Sequence, residues 1–277
     1  MYTEFYKLTG RPFQLSPDPA FFFEAKPHKK ALAYLTYGIS QSEGFIVITG
    51  EIGAGKTILV EYILSTFVGK NVVAAKVITT QLNADDLLRM VASAFDIPQE
   101  GADKATILQR MQTFLSDCAR MRRTVLLFVD ESQNLPHSAL EELRMLSNMQ
   151  VNGRSLLQIY LLGQPEFRRT IARKSLEQLR QRVITSYHLQ PLDAEETQHY
   201  IEHRMRRVGW KDDPHITPEA FQMIFEATGG VPRKINLLCD RLLLLGFLEE
   251  KHEIDADIVK EVVLDMHTEG SAPALSA

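Results

Sequence analysis

The segment Gly50-Glu51-Ile52-Gly53-Ala54-Gly55-Lys56-Thr57 lies between an apolar run, Phe45 to Thr49, and a helix-patterned stretch from Ile58 to Phe67. Glycines, a lysine and a hydroxyl at this spacing, in strand–loop–helix order, predict a phosphate-binding loop at the end of a buried strand in an α/β sheet. The physical reason lies in the backbone. A triphosphate is held there by main-chain N–H groups, so the loop needs residues that tolerate φ > 0 and let the chain approach the phosphates. The N-terminus of the following helix adds partial positive charge. Lys56 then reaches the β and γ phosphates, and the Thr57 hydroxyl supplies one ligand to Mg²⁺. The cradle runs from Gly50 through Ile58, so the chain is expected to take ATP or ADP with Mg²⁺. The competing reading is a glycine-rich turn that carries a lysine.

A second apolar run, Thr124-Val125-Leu126-Leu127-Phe128-Val129, reads as a fully buried strand delivering Asp130 and Glu131 at its carboxyl end, where α/β sheets bind ligands. Two adjacent acids can divide the work. Asp130 would hold the Mg²⁺, directly or through water, and Glu131 would polarise an attacking water as general base. The alternative is a solvated pair capping the next helix.

Composition sets the outer bounds. At 277 residues, 45% hydrophobic and 24% charged, the chain can bury a large core as one large domain or two smaller ones. Cys118 and Cys239 fall in separate helix-like apolar patterns, which predicts reduced buried thiols rather than a disulfide or a zinc site. The first residues show no basic stretch leading into an apolar one, and Leu242 to Leu248 is far short of the ~20 apolar residues a membrane span needs. A net charge of −4 argues against a nucleic-acid-coating protein but leaves room for a local basic patch.

Strand-like runs alternate with helical periodicity up to about residue 190, the pattern of a parallel sheet wrapped by helices. Five core strands are expected, at Phe45–Thr49, Val72–Thr79, Thr124–Val129, Leu156–Leu162 and Ile184–Leu189. Helices are expected at Ala84–Phe95, Lys104–Ala119 and Ser138–Asn148. Beyond Pro191 the strands are expected to stop, giving way to helices over Asp193–Val208, Thr217–Ala227, Arg233–Leu248 and Asp255–His267. The expected organisation is an N-terminal segment (1–40) packing near the nucleotide site, a nucleotide-binding domain (41–191), a small helical lid (192–268) and a disordered tail (269–277) rich in small residues.

Read in order, several segments carry a family resemblance. They are Phe5-Tyr6, Pro12-Phe13, Ser16-Pro17-Asp18-Pro19, Gly44-Phe45-Ile46-Val47 into the phosphate loop, Asp130-Glu131-Ser132-Gln133-Asn134-Leu135, Leu162-Gly163-Gln164-Pro165-Glu166, Leu179-Arg180-Gln181-Arg182 and Gly230-Val231-Pro232-Arg233-Lys234-Ile235-Asn236. Together they resemble AAA+ ATPases of the ExeA/GspA type, found with bacterial secretion systems. Leu143-Arg144-Met145-Leu146-Ser147-Asn148 and Leu237-Leu238-Cys239-Asp240-Arg241 look most like the ATPase of exosortase/PEP-CTERM (XrtA) loci. That resemblance implies a P-loop AAA+ domain with a helical lid, a role with exopolysaccharide export and protein sorting, and a cytoplasmic location at or near the inner membrane. It makes Gln164 the first sensor, near the γ-phosphate or the attacking water, against the alternative of a polar turn residue before Pro165. Arg233 becomes the second sensor, pairing with phosphate, since a cation at a helix start is electrostatically poor without an anion. Arg180 or Arg182, with Arg182 favoured, becomes an arginine finger acting in a neighbouring subunit of a homo-oligomer. Relatives of this type often continue into a transmembrane segment and a peptidoglycan-binding domain. The chain ends soon after the lid, so direct wall binding is not expected.

Other clusters have double readings. Tyr2, Phe5, Tyr6 and Phe21-Phe22-Phe23 either staple the N-terminal segment to the core or approach the adenine, and His28 either touches base or ribose or packs as a cap. The basic strings Arg120–Arg123, Arg168–Lys174 and Arg204–Arg207 read as solvated helix faces, one of which is left open to meet phosphates or acidic lipids. Two functions follow: an ATPase of an envelope export apparatus acting on a membrane-bound partner, or an ATP-dependent DNA-associated regulator resembling transposition ATPases. A scaffold that binds ATP without turnover has no use for Glu131.

Overall fold

The computed structural model describes residues 1–41, 44–67, 70–79 and 83–269. Residues 270–277, most of the expected disordered tail, lie outside the described residues. In chain order the elements are α1 (Tyr2–Phe5), α2 (Lys26–Gln41), β1 (Phe45–Gly50), α3 (Lys56–Ser65), β2 (Val72–Ile78), α4 (Ala84–Ala94), α5 (Lys104–Arg120) and β3 (Thr124–Asp130). There follow α6 (His137–Ser147), β4 (Gln150–Val151), β5 (Arg154–Ser155), β6 (Gln158–Gly163), α7 (Glu166–Ile171), α8 (Glu177–Arg180) and β7 (Val183–Leu189). The chain closes with α9 (Ala194–Arg207), β8 (His215–Ile216), α10 (Pro218–Thr228), α11 (Pro232–Leu248), β9 (Glu253–Ile254) and α12 (Ala256–Thr268).

Two compact units divide these elements, one gathering 29–50 and 59–189, the other 1–28, 51–58 and the residues from 190 onward. In the first, a parallel sheet runs in the order β2-β3-β6-β1-β7. Its inner strands β1 and β3 read as near-continuous apolar runs because both faces are covered, whereas the edge strands β2 and β7 carry polar residues and are partly exposed. Phe45, Val47, Val125, Leu127, Val129, Ile159 and Leu161 point into one core with α4, α5 and α6. On the other face Phe128 stacks on Tyr160 at 4.5 Å, and the Tyr160 hydroxyl donates to the Leu35 carbonyl of α2 at 3.1 Å. Each fully buried Phe, Ile or Leu here contributes about 1.5–3 kcal/mol relative to exposure.

The second unit buries its own core. Ile201, Met205, Ile224, Leu238, Leu242, Val259 and Val262 from α9 to α12 meet Tyr2, Tyr6, Leu8 and Phe13 of the N-terminal segment. Side-chain caps set three of the helix starts, with Asp193, Thr217 and Asp255 each accepting from backbone N–H groups of the first turn. Asp193 and Glu196 form a reciprocal capping box. The N-terminal aromatics are staples. The Tyr2 hydroxyl donates to Asp240 at 2.6 Å, the Tyr6 hydroxyl donates to the Lys251 carbonyl at 2.9 Å, and Phe5 stacks on His252.

Four expectations need correction. Strands do not stop at Pro191, because β8 and β9 pair in parallel over two residues each, too short for a period-two pattern to register. A two-residue hairpin, β4–β5, precedes β6, turning on Asn152-Gly153 with φ of 53° and 74°. That is the backbone a type I′ turn requires and the dipeptide that favours it. Arg204 is no part of a solvated face. Its guanidinium is buried and donates to the Pro12 carbonyl (2.6 Å), the Tyr200 hydroxyl (3.0 Å) and the Gln14 carbonyl (3.3 Å) beneath the Phe21 ring. Finally, α12 runs through Thr268, and Glu269 follows it to pair with Arg241 at 2.7 Å.

Candidate nucleotide site

The phosphate loop leaves the carboxyl end of β1 and enters α3, whose first turn begins at Lys56 rather than at the expected Ile58. The shift matters chemically, because Lys56, Thr57 and Ile58 then lie in the first turn, whose N–H groups have no intrahelical acceptor. Gly53 and Gly55 sit at φ 83° and 96°, a region that disfavours any residue with a Cβ. At Gly53 sterics add to strain. A Cβ would lie 2.4 Å from the Arg233 Cβ, and the Arg233 N–H donates to the Gly53 carbonyl at 3.2 Å. The loop is therefore packed directly against the start of α11. Arg233 itself is exposed, in the first turn after Pro232.

Lys56 is buried, and its Nζ donates to the Glu51 carbonyl at 3.0 Å, an oxygen that also accepts from the Ala54 N–H at 3.1 Å. Glu51 and Ile52 are exposed at the loop's outer turn. His28 backs the loop from within the same unit. A Cβ on Gly55 would meet its Nε2 at 2.9 Å, Phe22 meets the ring edge-on, and burial pushes the imidazole down to about 4 despite a hydrogen bond to the Ala54 backbone. His28 is thus neutral at ordinary pH, and its buried Nδ1 has no partner within the protein. Packing against the loop is the part of the His28 expectation that the geometry displays.

The acids lie at the carboxyl end of β3. Because β6 lies between β1 and β3, the ends of all three strands sit side by side, with Gln164 immediately after β6. Asp130 is buried, and its Oδ1 accepts from the Glu131 N–H at 2.9 Å. Glu131 adopts φ 55°, a left-handed conformation uncommon for a residue with a side chain. Several contacts hold it there. The Thr79 hydroxyl lies 2.8 Å from the carbonyls of both Asp130 and Glu131, and Asn134 Nδ2 donates to the Thr79 carbonyl at 3.1 Å. Two amides then address one carboxylate oxygen: Gln133 Nε2 donates to Glu131 Oε2 at 2.6 Å, and Gln164 Nε2 donates to it at 3.3 Å. Gln133 also accepts the Gln164 N–H at 3.0 Å. Glu131 is a positioned carboxylate rather than a solvated helix cap.

Gln133 is the site residue that sequence reasoning missed. It stood inside the Asp130–Leu135 segment, two residues past Glu131, and only the three-dimensional bridge to Gln164 brings it to notice. The arginines before β7 separate clearly. Arg182 is half-buried, with Nη1 donating to Ser147 Oγ at 3.4 Å and its carbonyl accepting from the Phe45 N–H at 2.8 Å. Arg180 is exposed and donates to the Ala172 carbonyl at 3.1 Å. Thr57 and Asp130 are hard oxygen donors of the kind Mg²⁺ takes, and the loop's backbone suits phosphate. The residues present therefore fit a magnesium nucleotide.

Comparison with known proteins agrees. The AAA domain family matches residues 39–171. General secretion pathway protein A of Aeromonas hydrophila is 36% identical over 256 residues, covering 92% of this chain and 46% of that protein. The chain thus spans about half the length of that relative. Among solved structures, the Aeropyrum pernix ORC2 protein is similar at a TM-score of 0.69 and 16% identity, covering 95% of this chain and 74% of that one. Cdc6p from Pyrobaculum aerophilum gives 0.70 at 12% identity over 92% and 70% of the two chains, and a Thermotoga maritima RuvB mutant 0.55 at 16% over 91% and 72%. These likenesses establish the fold. Phosphate loop, acid pair, sheet order and the long match to the secretion protein converge: the chain carries an AAA domain on an AAA+ ATPase fold and is similar over most of its length to general secretion pathway protein A.

Proposed function

We propose that this protein binds and hydrolyses Mg-ATP and uses the cycle to drive or regulate assembly of a bacterial envelope export system, of the exopolysaccharide/PEP-CTERM or general secretion type. The observation that carries the hydrolytic part is the Glu131 carboxylate, held at a strand end by Gln133 and Gln164. A protein that only stored nucleotide would have no need of a fixed base there.

In this reading the loop from Gly50 to Ile58 binds the phosphates, with Lys56 exchanging its contact to the Glu51 carbonyl for phosphate oxygens. Thr57 and Asp130 would hold a Mg²⁺, which would supply charge neutralisation to the phosphates. Glu131 accepts a proton from the attacking water. Gln164 orients that water or the γ-phosphate through an amide already aimed at Glu131. Arg233 pairs with phosphate and links the helical lid, residues 192–268, to nucleotide state. Arg182, with Arg180 as alternative, serves a neighbouring subunit's site, so turnover depends on homo-oligomer formation. The export role rests on similarity to general secretion pathway protein A; in this reading the chain works at the cytoplasmic face of the inner membrane, beside a membrane-bound partner.

The test is the ATPase rate against protein concentration, with Mg²⁺, in the presence or absence of anionic vesicles or duplex DNA. A rate per subunit that rises with concentration supports a shared site, and stimulation by vesicles supports the export reading. A flat rate stimulated by DNA alone would replace it with the DNA-associated regulator. Mixing Arg182→Ala with Glu131→Gln sharpens the assignment: recovered turnover means that one subunit's arginine serves another's site, and none would remove the trans role.

A further inference from the structure

At the amino ends of β3 and β6, the opposite end of the sheet from Asp130 and Glu131, a cleft of about 1100 Å³ opens between the C-terminal turn of α5 and the β4–β5 hairpin. Four arginines line it: Arg120, Arg122 and Arg123 on the α5 side and Arg154 on the hairpin. No acidic and no aromatic residue is among its described lining. All four arginines are exposed, and Arg120 pairs with Asp117 of its own helix.

Countering the helix dipole accounts for a cation or two after α5, but not for the whole arrangement. Arg122 stands at φ 56°, with the Arg123 N–H returning to the Cys118 carbonyl and the Arg122 N–H to the Ala119 carbonyl. That is the left-handed position closing a helix, where glycine or asparagine is the low-strain choice. Arg154 belongs to a different element and owes nothing to the α5 dipole. The cations are also all arginine, whose planar fork suits phosphate oxygens bidentately.

We propose that this cleft docks the protein on an anionic phospholipid surface, with the arginines taking headgroup phosphates. Two observations choose a bilayer over a nucleic acid. Val151, 40% exposed and paired in register with Arg154, lines the cleft, and Met121, 61% exposed, lies in the chain between Arg120 and Arg122, so apolar side chains accompany the arginines. That pairing of charge and apolar surface suits the headgroup–acyl boundary. The described lining also offers no aromatic face on which the bases of a single strand would stack. Local charge is also what an overall −4 chain needs to approach an anionic surface at all. The inference is independent of the nucleotide chemistry.

Co-sedimentation of the full chain with phosphatidylglycerol-containing vesicles, without nucleotide, tests it. Wild type should pellet with these vesicles and not with phosphatidylcholine alone, and binding should weaken as salt rises. Each arginine is worth about five-fold in partitioning, so Arg120→Gln/Arg122→Asn/Arg123→Gln/Arg154→Gln should weaken binding at least ~100-fold. Asparagine is used at 122 because it tolerates the left-handed backbone. Met121→Asp, which leaves the arginines in place, should also weaken binding. A control that removes equal charge elsewhere, Arg168→Gln/Arg169→Gln/Arg173→Gln/Lys174→Gln, should retain it. The proposal is overturned if wild type ignores anionic vesicles, if the cleft variant binds as wild type does, if the control loses as much, or if the arginines prove to hold duplex DNA instead.

Discussion

The two halves of the proposed nucleotide site, the loop and the acid pair, are built by different means. The loop from Glu51 to Ile58 is shaped by backbone: positive φ at Gly53 and Gly55, the start of a helix at Lys56, and carbonyls that hold Lys56 and Arg233. The Asp130–Glu131 half is shaped by side chains, with Thr79, Asn134, Gln133 and Gln164 fixing one carboxylate in a left-handed conformation. A backbone cradle holds a ligand's ground state, whereas an oriented carboxylate acts on a proton in flight. The two should therefore fail differently, one in affinity and the other in turnover.

Glu131→Gln gives the largest separation. Losing the base should lower kcat by about 10³-fold, while nucleotide affinity, read by a fluorescent ATP analogue, stays within a factor of about three. Unimpaired turnover would remove Glu131 as the base and leave the acid half a structural cap. Lys56→Ala should do the reverse, weakening nucleotide binding by about 100-fold through loss of a charge-assisted contact to phosphate. If its effect fell on kcat alone, the division between a binding half and a chemical half would be wrong.

The pH dependence of stability probes the loop half without nucleotide. His28 is neutral and buried behind Gly55, with its folded value depressed from 6.5 to about 4. The unfolded chain binds the proton more readily, so the contribution is fully present above pH 6.5 and is lost as pH falls toward 4. On this basis urea melts should show about 2–3 kcal/mol less stability from His28 at pH 4.5 than at pH 7. His203, pushed down first by burial and then by Arg207, Arg204 and Arg206, adds loss of the same sign. His28→Gln should flatten the acid limb by the His28 share and leave that of His203. An unchanged slope would mean that His28 does not stay neutral in its niche.

What could be read in advance divides along the same line. Backbone-built features announce themselves, since glycine spacing and an unbroken apolar strand have few structural solutions, and the loop and all five core strands were legible within a few residues. The Asn152-Gly153 hairpin carried the same kind of signal, which the long apolar run beside it obscured. Side-chain networks between distant segments do not announce themselves. Nothing local distinguishes the buried Arg204, clamped on Pro12 and Gln14, from the exposed Arg206 two residues on. The two-residue strands β8 and β9 depend on 38-residue separation and carry no periodicity of their own.

Gln133 is the sharpest case and the smallest effect. Its amide nitrogen holds the Glu131 carboxylate while its oxygen receives the Gln164 N–H, so one side chain ties the end of β3 to the end of β6. Gln133→Leu keeps the approximate volume, removes both contacts and leaves the Gln164 N–H without that acceptor. It should lower kcat by about ten-fold, the worth of one positioning hydrogen bond, with nucleotide affinity unchanged. Gln133 touches no reacting atom, so the loss should be one of orientation. Gln133→Glu, which keeps the acceptor for Gln164 but sets a second carboxylate against Glu131, should raise the pH at which turnover begins, because like charges at hydrogen-bond distance favour retention of a proton. A Leu variant with wild-type kcat, or a Glu variant with an unshifted pH profile, would show that Gln164 and the backbone alone suffice to aim the base.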